Sequence, residues 1–452
     1  MRYIAADFGA GSGRVIVGTI LADGGIQLDE LHRFPNRQIR LGDTLYWDFP
    51  ALFEELKTGL KKAFTKYDDI VSIGVDTWGV DFGLIDRKGR LVSNPVCYRD
   101  RRTSGILEKA FGKIPKEEFY ALTGNQFMEI NTAFQLYSMV LGEDPALEIA
   151  DKLLFTPDLF NYFLTGKAVN EYTISSTSQL YHHGSGGWAT EVFQRLGLPQ
   201  RLMQRIVSSG TLIGELLPDI AAETGGAGVK VVAVGSHDTA SALASIEAEG
   251  DDWAFISSGT WSLMGIETDR PILTPEAMAC DFTNEGTVNG RIRFLRNITG
   301  LWLLQNLIKE WEAQGEACSY ADLIAEAGAC ELNTVVDVDA PRFNHPEQMG
   351  KAIQDHCREK GLKAPETKGE YMRCVALSLA TKYAEVKTML EKCSGRRIET
   401  IYVVGGGSQN QLLNRLTEEL TGAKVICKSV EATAIGNIKV QHAANQASPN
   451  PL

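Results

Sequence analysis

The residues of this chain that could most plainly do chemistry lie in the segment 231–242, VVAVGSHDTASA. The apolar run 229–234 predicts a buried strand and 240–245 predicts a helix, so Asp238 falls where a strand ends and a helix begins. Open α/β folds bind their ligands at this position. A carboxylate there can accept a proton from a substrate hydroxyl as a general base. The alternative is that Asp238 only caps the helix, a position that aspartate favours.

His237 stands directly before Asp238 and raises the question of a metal site. The sequence places no second histidine or cysteine beside it at the spacing that metal ligands need. We therefore favour a neutral histidine that hydrogen-bonds a substrate or orients Asp238. No G-x-S-x-G turn follows a predicted strand, so the pattern does not favour a serine hydrolase.

Two turns of small residues at predicted strand ends could hold phosphate groups. Asp7 ends the predicted strand 2–7, and residues 9–13 lead into a second strand at 14–21. The backbone N–H groups of such a turn can approach phosphate oxygens, and Asp7 could hold Mg²⁺ through water. The turn is neither a P-loop nor G-x-G-x-x-G, and a hairpin without a ligand is the alternative. The turn 258–260, Ser-Gly-Thr, is its counterpart in the second half of the chain.

A third loop, Gly405-Gly406-Gly407, follows a predicted strand at 398–404 and precedes a predicted helix at 410–421. Bare glycine backbone lets a flat ring or a ribose lie against it. One triple glycine is weak evidence, but three strand-end loops distributed over both halves indicate a nucleotide site.

The segment 76–81, DTWGVD, is a candidate polyol site, because Trp78 stands between the carboxylates of Asp76 and Asp81. Polyols bind to polar groups through their hydroxyls and to an aromatic face through their C–H surface. The alternative for Trp78 is packing in the core. Asn297, near the end of a predicted strand at 291–298, could reach the same ligand, with a turn asparagine as its alternative.

Composition excludes several classes of partner. Lys and Arg number 45 against 57 Asp and Glu, a net charge of −12, which argues against a nucleic acid. No apolar run is long enough to span a membrane, and the amino terminus lacks the pattern of a signal peptide. The eight cysteines form no C-x-x-C pair, which suits unpaired thiols in a reducing cytoplasm and disfavours a zinc site.

Strand and helix patterns alternate in both halves, and 452 residues exceed what one core usually holds. Strands at 2–7, 14–21, 26–34 and 69–77, with a helix from 49 capped by Asp48, predict a mixed sheet flanked by helices. Strands at 253–257, 261–266 and 291–298 and helices at 301–312 and 370–393 repeat this order. The openings 5–18 and 255–265 share a strand, turn, strand pattern, which indicates an internal duplication. We therefore predict two α/β domains, 1–242 and 243–452.

Three of these segments resemble the nucleotide-contacting segments of the FGGY family of carbohydrate kinases: 7–14, 258–263 and 403–422. Others are similar to the branch of that family that acts on L-rhamnulose: 75–86, 98–103, 170–180, 235–242, 257–265, 296–305, 342–346 and 431–437. The resemblance runs in order through nearly the whole chain. It implies two ribonuclease-H-like lobes of the actin and hexokinase type, with the active site in the cleft between them.

The resemblance also implies the reaction, ATP-dependent phosphorylation of the 1-hydroxyl of L-rhamnulose, with Asp238 as the base. It implies sugar contacts by Gly79, His237, Asp238, Thr239 and Asn297, to which the residue pattern adds Asp76 and Trp78. It implies ATP contacts by Ala10, Gly11, Ser12, Gly13, Arg14, Thr260, Gln305 and Gly406, and Mg²⁺ placed by Asp7.

Two alternatives remain open: another kinase of this family, for L-fuculose, xylulose or glycerol, or a non-catalytic actin-like ATP-binding protein. We expect a ketose and ATP as partners, no nucleic acid or membrane, and a monomer or homodimer in the cytoplasm. Family members usually continue with a terminal helix that returns to the first lobe, whereas this chain ends at 447–452, ASPNPL, a sequence that continues a helix poorly. We therefore expect the second domain to lack that helix through truncation or an altered reading frame.

Overall fold

The computed structural model of the protein describes residues 1–316, 319–344 and 346–447. Some residues used in the predictions above lie outside the described residues: Cys318, His345 and the terminal segment 448–452. Of the cysteines in the described ranges, none takes part in a disulfide. None of the helices in those ranges is long and apolar enough to cross a membrane.

The strands of the described chain are β1 (Arg2–Phe8), β2 (Ser12–Ile20), β3 (Ile26–Pro35), β4 (Gln38–Leu41), β5 (Thr44–Trp47), β6 (Ile70–Thr77), β7 (Phe82–Asp86), β8 (Ala150–Phe155), β9 (Asn170–Glu171), β10 (Tyr181–His182), β11 (Gly187–Trp188), β12 (Ile206–Val207), β13 (Leu212–Glu215), β14 (Lys230–Val232), β15 (Trp253–Ser258), β16 (Trp261–Thr268), β17 (Thr283–Gly286), β18 (Ile292–Thr299), β19 (Thr400–Val404) and β20 (Lys424–Cys427).

The helices of the described chain are α1 (Phe49–Lys66), α2 (Ile106–Phe111), α3 (Lys116–Thr123), α4 (Thr132–Leu141), α5 (Ala146–Ile149), α6 (Thr156–Thr165), α7 (Tyr172–Ser175), α8 (Thr190–Leu196), α9 (Pro218–Thr224), α10 (Asp238–Ala244), α11 (Pro275–Ala279), α12 (Trp302–Ala313), α13 (Tyr320–Ala329), α14 (Met349–Glu359), α15 (Lys368–Ser394), α16 (Gln411–Thr421) and α17 (Ala432–Gln446). Short 3₁₀ turns lie at Arg101–Thr103, Gln200–Leu202, Pro341–Phe343 and Gly406–Gln409.

The chain forms two compact units. Unit 1 contains Met1–Ser245, Thr268–Arg293 and the described residues from Ala432 onward, and unit 2 contains Ile246–Glu267 and Phe294–Glu431. Two segments that follow the predicted boundary after residue 242, at 268–293 and from 432, thus pack with unit 1.

Unit 1 is built on a mixed sheet with the strand order β13-β14-β6-β1-β2-β3. β1 pairs antiparallel with β2 and parallel with β6, and residues 3–8 of β1 are buried. The side chain of Asp48 accepts a hydrogen bond from the backbone of Ala51 and so caps α1, whose apolar residues Leu52, Leu56 and Leu60 enter the core. The strands predicted around 2–7, 14–21, 26–34 and 69–77, and the capped helix, are confirmed in the structure.

The register of this sheet gathers functional candidates at one edge. Asp7 lies beside Asp76 where β1 and β6 end, and the backbone of Thr77 donates to the carbonyl of Ser236, 2.9 Å away. Thr77 and His237 therefore form a parallel bridge just before α10. The edge holds the ends of two strands and the start of one helix.

α17 covers part of unit 1 through close packing at two glycines. A Cβ added at Gly18 of β2 would lie 2.2 Å from the Cδ1 of Ile438, and one at Gly436 would lie 1.7 Å from the carbonyl oxygen of Ser241 in α10. Ile438 and Ala434 also belong to an apolar cluster with Tyr3 of β1. Gly18 of β2 and Gly436 of α17 thus let the helix approach β2 and α10 closely.

Within unit 2, β15 pairs antiparallel with β16 and parallel with β19, and β20 continues the sheet beyond β19. α15 begins with a capping box, in which the side chain of Thr367 and the carboxylate of Glu370 each accept from the other's backbone N–H. The strands predicted near 253–257, 261–266, 291–298 and 398–404, and the helices near 301–312, 370–393 and 410–421, are confirmed.

Candidate active site

Asp238 is the first residue of α10, and the cap position before it is occupied by His237. The alternative that Asp238 is the N-cap of this helix is therefore wrong, because the residue belongs to the helix itself and His237 occupies the cap position. Instead, Oδ1 of Asp238 accepts a hydrogen bond from the Thr239 hydroxyl at 3.2 Å. A third of its side chain remains exposed, which leaves the carboxylate accessible to a ligand.

The surroundings of Asp238 favour its protonated form. Although the side chain is partly exposed, the dense protein around it withholds solvation, and this desolvation together with the negative charge of Asp7 raises the pKa of Asp238 to about 7. Hydrogen bonds from Thr239 and the positive charge of Arg293 act in the opposite direction. A carboxylate whose pKa lies near neutral pH is well matched to general-base catalysis.

Asp7 and Asp76 lie near Asp238 but have different partners. Asp7 accepts a hydrogen bond from the guanidinium of Arg14 on the adjacent strand β2. Asp76 is fully buried, and its Oδ2 accepts from the side-chain amide of Asn437 in α17 at 2.5 Å. Burial and the charge of Asp7 hold the pKa of Asp76 well above its ordinary value.

Asp76 and Trp78, the candidate polyol contacts, are both buried. The indole N–H of Trp78 donates to Oδ2 of Asp81 at 3.0 Å, and that oxygen also accepts from the indole of Trp47 and the backbone of Tyr98. The rings of Trp47 and Trp78 lie 4.3 Å apart. The carboxylate of Asp81 is therefore occupied by bonds within the protein. The prediction that Asp81 and Asp76 both offer carboxylates to the hydroxyls of a polyol is wrong for Asp81.

Gly79, His237 and Thr239 are brought together beside Asp238. A Cβ added at Gly79 would lie 2.9 Å from Nε2 of His237, so only a glycine leaves this nitrogen its present position. His237 Nδ1 lies 3.1 Å from a nitrogen of Arg293 and 3.5 Å from Oδ1 of Asp238. Burial and the charge of Arg293 hold the pKa of His237 well below its ordinary value, so the ring is neutral.

The first glycine turn, residues 9–13, joins β1 to β2 as predicted. Its backbone closes through Gly9 N–H to the carbonyl of Ser12 at 2.9 Å. Asn36, which directly follows β3, stabilises the turn, because its backbone N–H donates to the carbonyl of Gly11 and its side-chain amide donates to the carbonyl of Gly9. Gly11 is exposed, and a Cβ added there would meet no atom within 4 Å, which leaves this part of the turn open.

The second and third loops meet within unit 2. The hydroxyl of Thr260 donates to the side chain of Gln305 at 3.1 Å, which joins two of the predicted ATP contacts. Gly405 has φ +80° and packs on Ser258, and a Cβ at Gly407 would lie 2.0 Å from Oγ of Ser258. Gly406 between them is open, with no atom within 4 Å of an added Cβ. Asn297 also belongs to unit 2, on β18.

Two residues of the site, Asn437 and Arg293, are not predicted from the sequence. The sequence gives Asn437 no role of its own within the segment 431–437, because its contact with Asp76 joins residues 361 positions apart. Arg293 lies inside a predicted strand, where its position between apolar Ile292 and Phe294 was the available signal that it is buried.

No group of three or more His, Cys, Asp or Glu side chains in the described ranges could hold a metal ion. Mg²⁺ does not require such a group, because it is commonly bound by one or two carboxylates together with phosphate oxygens and water. The negative charge of Asp7 raises the pKa of both Asp76 and Asp238, so the three carboxyl groups lie close together. A divalent cation bound there would reduce their mutual repulsion. The donor set at Asp7 therefore fits Mg²⁺ that arrives with a polyphosphate.

Known proteins are similar to this chain over nearly its full length. The model of the FGGY family of carbohydrate kinases matches the chain twice, with its N-terminal domain at residues 2–244 and its C-terminal domain at 254–444. A protein named rhamnulokinase from Bacteroides thetaiotaomicron is 44% identical over 97% of this chain and 90% of its own length. Its namesakes from Oceanobacillus iheyensis and Bacillus subtilis are 40% and 37% identical, over 97% and 98% of this chain and 92% and 90% of their own.

Solved structures share the fold. A gluconate kinase from Lactobacillus acidophilus superposes with a TM-score of 0.81 at 14% identity, covering 98% of this chain and 89% of that one. A glycerol kinase from Plasmodium falciparum, solved with ADP, gives 0.79 at 14% identity, covering 98% and 90%. At this identity the likeness shows the fold alone, and it confirms the predicted α/β class with mixed sheets flanked by helices.

Proposed function

We propose that this chain, which belongs to the FGGY family of carbohydrate kinases, transfers the γ-phosphoryl group of ATP to the 1-hydroxyl of L-rhamnulose. The chain is a carbohydrate kinase, and ATP is its co-substrate. The products of the proposed reaction are L-rhamnulose 1-phosphate and ADP. The choice of sugar is supported by relatives named rhamnulokinase that are similar over nearly the full length of the chain.

One observation carries the assignment of the base. Asp238 is partly exposed and has a pKa of about 7, so it is ready to accept a proton near neutral pH. In the proposed step the 1-hydroxyl oxygen forms a bond to the γ-phosphorus while its proton passes to Asp238. The bond from the γ-phosphorus to the β–γ bridging oxygen breaks, and ADP leaves with that electron pair. Such reactions need little covalent work from the protein, which positions the groups and stabilises charge.

The remaining roles are those that the resemblance to the family implies. His237, Gly79 and Thr239 hold the sugar beside the base, and Asn297 contributes a further sugar contact. Asp76 and Trp78 are buried next to this site, where Asp76 is hydrogen-bonded to Asn437 and Trp78 to Asp81, and they stabilise its structure. The residues assigned to ATP are Ala10, Gly11, Ser12, Gly13 and Arg14 of the first turn, and Thr260, Gln305 and Gly406 of unit 2.

Asp7 is the residue assigned to Mg²⁺, through water. The ion would supply positive charge to the phosphate oxygens. Within the protein, the open backbone at Gly11 and the guanidinium of Arg14 would further stabilise the negative charge of the phosphate groups.

The experiment that tests this proposal is an ADP-release assay across L-rhamnulose, L-fuculose, D-xylulose and glycerol. We expect L-rhamnulose to give the highest kcat/KM. We expect Asp238→Asn to fold and bind ATP but to turn over at least about a hundredfold more slowly, the usual contribution of a general base. Asp43→Asn, which changes an exposed aspartate between β4 and β5, is the matched control and should retain wild-type rates.

Two results would contradict the proposal in different ways. A preference for another sugar or polyol would keep the kinase chemistry and replace the substrate. ATP hydrolysis that is indifferent to every sugar would instead favour an actin-like ATP-binding protein, in which Asp238 has no hydroxyl to deprotonate.

A further inference from the structure

We infer that Arg293 is a positioning residue that keeps His237 neutral with its proton on Nε2, so that His237 presents a fixed hydrogen-bond donor to a sugar oxygen. The inference deepens the proposed function and rests on it for the identity of the ligand. Arg293 lies on β18, in the part of that strand that belongs to unit 1, and is fully buried.

The contacts of the guanidinium decide which imidazole nitrogen carries the proton. Nη1 of Arg293 lies 3.1 Å from Nδ1 of His237. A guanidinium has only donors, so a hydrogen bond between these atoms requires the lone pair of Nδ1 as acceptor. A neutral imidazole carries one proton, which must then be on Nε2.

The other nitrogen of the ring points to the place where a sugar is proposed to bind. Nε2 lies against Gly79, where a side-chain carbon would come within 2.9 Å of it. The backbone of His237 is fixed as well, because its N–H donates to the hydroxyl of Thr173 at 3.2 Å, and that hydroxyl donates to Glu171 at 2.6 Å. Both the ring and the main chain of His237 are therefore held.

The charged groups around the ring act against one another. Arg293 faces Nδ1 directly and disfavours a positive imidazole, whereas Asp238, with its Oδ1 3.5 Å from Nδ1, favours one. Glu285 balances Arg293 through an ion pair of 2.8 Å. Three groups are more distant. Glu171 reaches His237 through Thr173, and Asp7 acts on Asp238. Burial raises the pKa of Tyr172 well above its ordinary value, against the opposing charge of Arg293.

Burial adds to the effect of Arg293, and together they hold the pKa of His237 well below its ordinary value. His237 thus stays neutral while Asp238 titrates at about 7. A base and a donor that lie side by side can then work in the same pH range, because only one of them changes its charge there.

The test compares wild-type protein with Arg293→Met/Glu285→Gln, which removes both charges of the buried pair and preserves net charge. Arg293→Lys retains a cationic donor. Arg291→Met, the matched control, removes a partly exposed arginine two positions away that is ion-paired with Asp269. The first readout is the ¹⁵N spectrum of labelled histidine in the protein without ligands, with the His237 signal identified by its loss in His237→Gln.

We expect wild type, Arg293→Lys and Arg291→Met to show a neutral Nε2–H ring between about pH 5 and 8. In the double variant we expect the ring to titrate near its ordinary value, about 6.5. We also expect the KM for L-rhamnulose to rise about tenfold at about pH 8, the effect of one hydrogen bond, with the KM for ATP unchanged. At that pH the ring of the double variant is neutral, and ionised Asp238, with its Oδ1 3.5 Å from Nδ1, draws the proton to Nδ1 and leaves Nε2 without one.

A wild-type ring protonated on Nδ1, or charged at about pH 6, would overturn the inference. So would a folded double variant that keeps the wild-type spectrum and sugar KM. If the double variant does not fold, the spectra of wild type and Arg293→Lys still decide between the two tautomers. If no sugar is phosphorylated, the proposed function fails, while the spectrum of the free protein continues to test Arg293.

Discussion

The rate of phosphoryl transfer should rise with pH through an ionisation that belongs to Asp238. Because burial and Asp7 raise the pKa of Asp238 to about 7, roughly one molecule in eleven carries the active carboxylate at pH 6 and ten in eleven at pH 8. The kcat with both substrates saturating should therefore increase about tenfold over this interval. An ordinary aspartate would be fully ionised throughout and would give a flat profile.

The assay is ADP release at saturating sugar and ATP between pH 6 and 8, in buffers of constant ionic strength. Asp238→Asn is the decisive comparison, because its residual activity should not change with pH across this range. Ionisation of ATP or of a general structural group would persist in the variant. A flat wild-type profile, or the same rise in Asp238→Asn, would refute the assignment of the base.

The same ionisation has a consequence for stability, with the opposite pH dependence. The pKa of Asp238 is higher in the folded protein than in the unfolded chain, so the folded state binds the proton more tightly. Its contribution to the free energy of unfolding therefore falls as pH rises from about 4 through about 7. Asp238→Asn should melt at a higher temperature than wild type at pH 8, and this advantage should shrink at pH 5.

Two further changes test the surroundings of the base. Gly79→Ala should raise the KM for the sugar and leave the KM for ATP unchanged, because the new Cβ would lie 2.9 Å from Nε2 of His237. An unchanged KM for the sugar would show that this contact is unimportant. Asn437→Leu should lower the free energy of unfolding by about 1–3 kcal/mol, because Asp76 and the carbonyl of Gly74 each lose a buried hydrogen-bond donor. Denaturant unfolding measures this loss, with Asn289→Ala, at an exposed asparagine, as the reference. An unchanged free energy of unfolding would argue against the contact.

Local patterns were sufficient to predict the strands and turns that carry the candidate residues. Asp7, the turn 9–13 and Asp238 all follow apolar runs of strand length, and each lies at a strand end or helix start in the structure. These signals depend on neighbours in the sequence, so a single chain contains them. The exact boundaries shifted by one or two residues, as for β1, which includes Phe8.

Contacts between distant segments could not be predicted in this way. Arg293 and His237 are 56 positions apart, and nothing in the spacing of either residue indicates the other. A charged residue within an apolar strand can face solvent or a buried acid, and only the packing of Glu285 beside it decides. The burial of Asp76 beneath α17 likewise depends on a helix from the far end of the chain.

The assignment of the base to Asp238 rests on how three neighbouring carboxylates divide their roles. Asp7 is ion-paired with Arg14 and is the residue assigned to the cation. Asp76 is sealed from solvent and bonded to Asn437, so a substrate hydroxyl cannot reach it. Asp238 has no hydrogen bond to an arginine among the described residues, keeps a third of its side chain exposed and has a pKa of about 7. The charge that Asp7 retains is part of what raises this pKa, so the residue assigned to the cation also prepares the base.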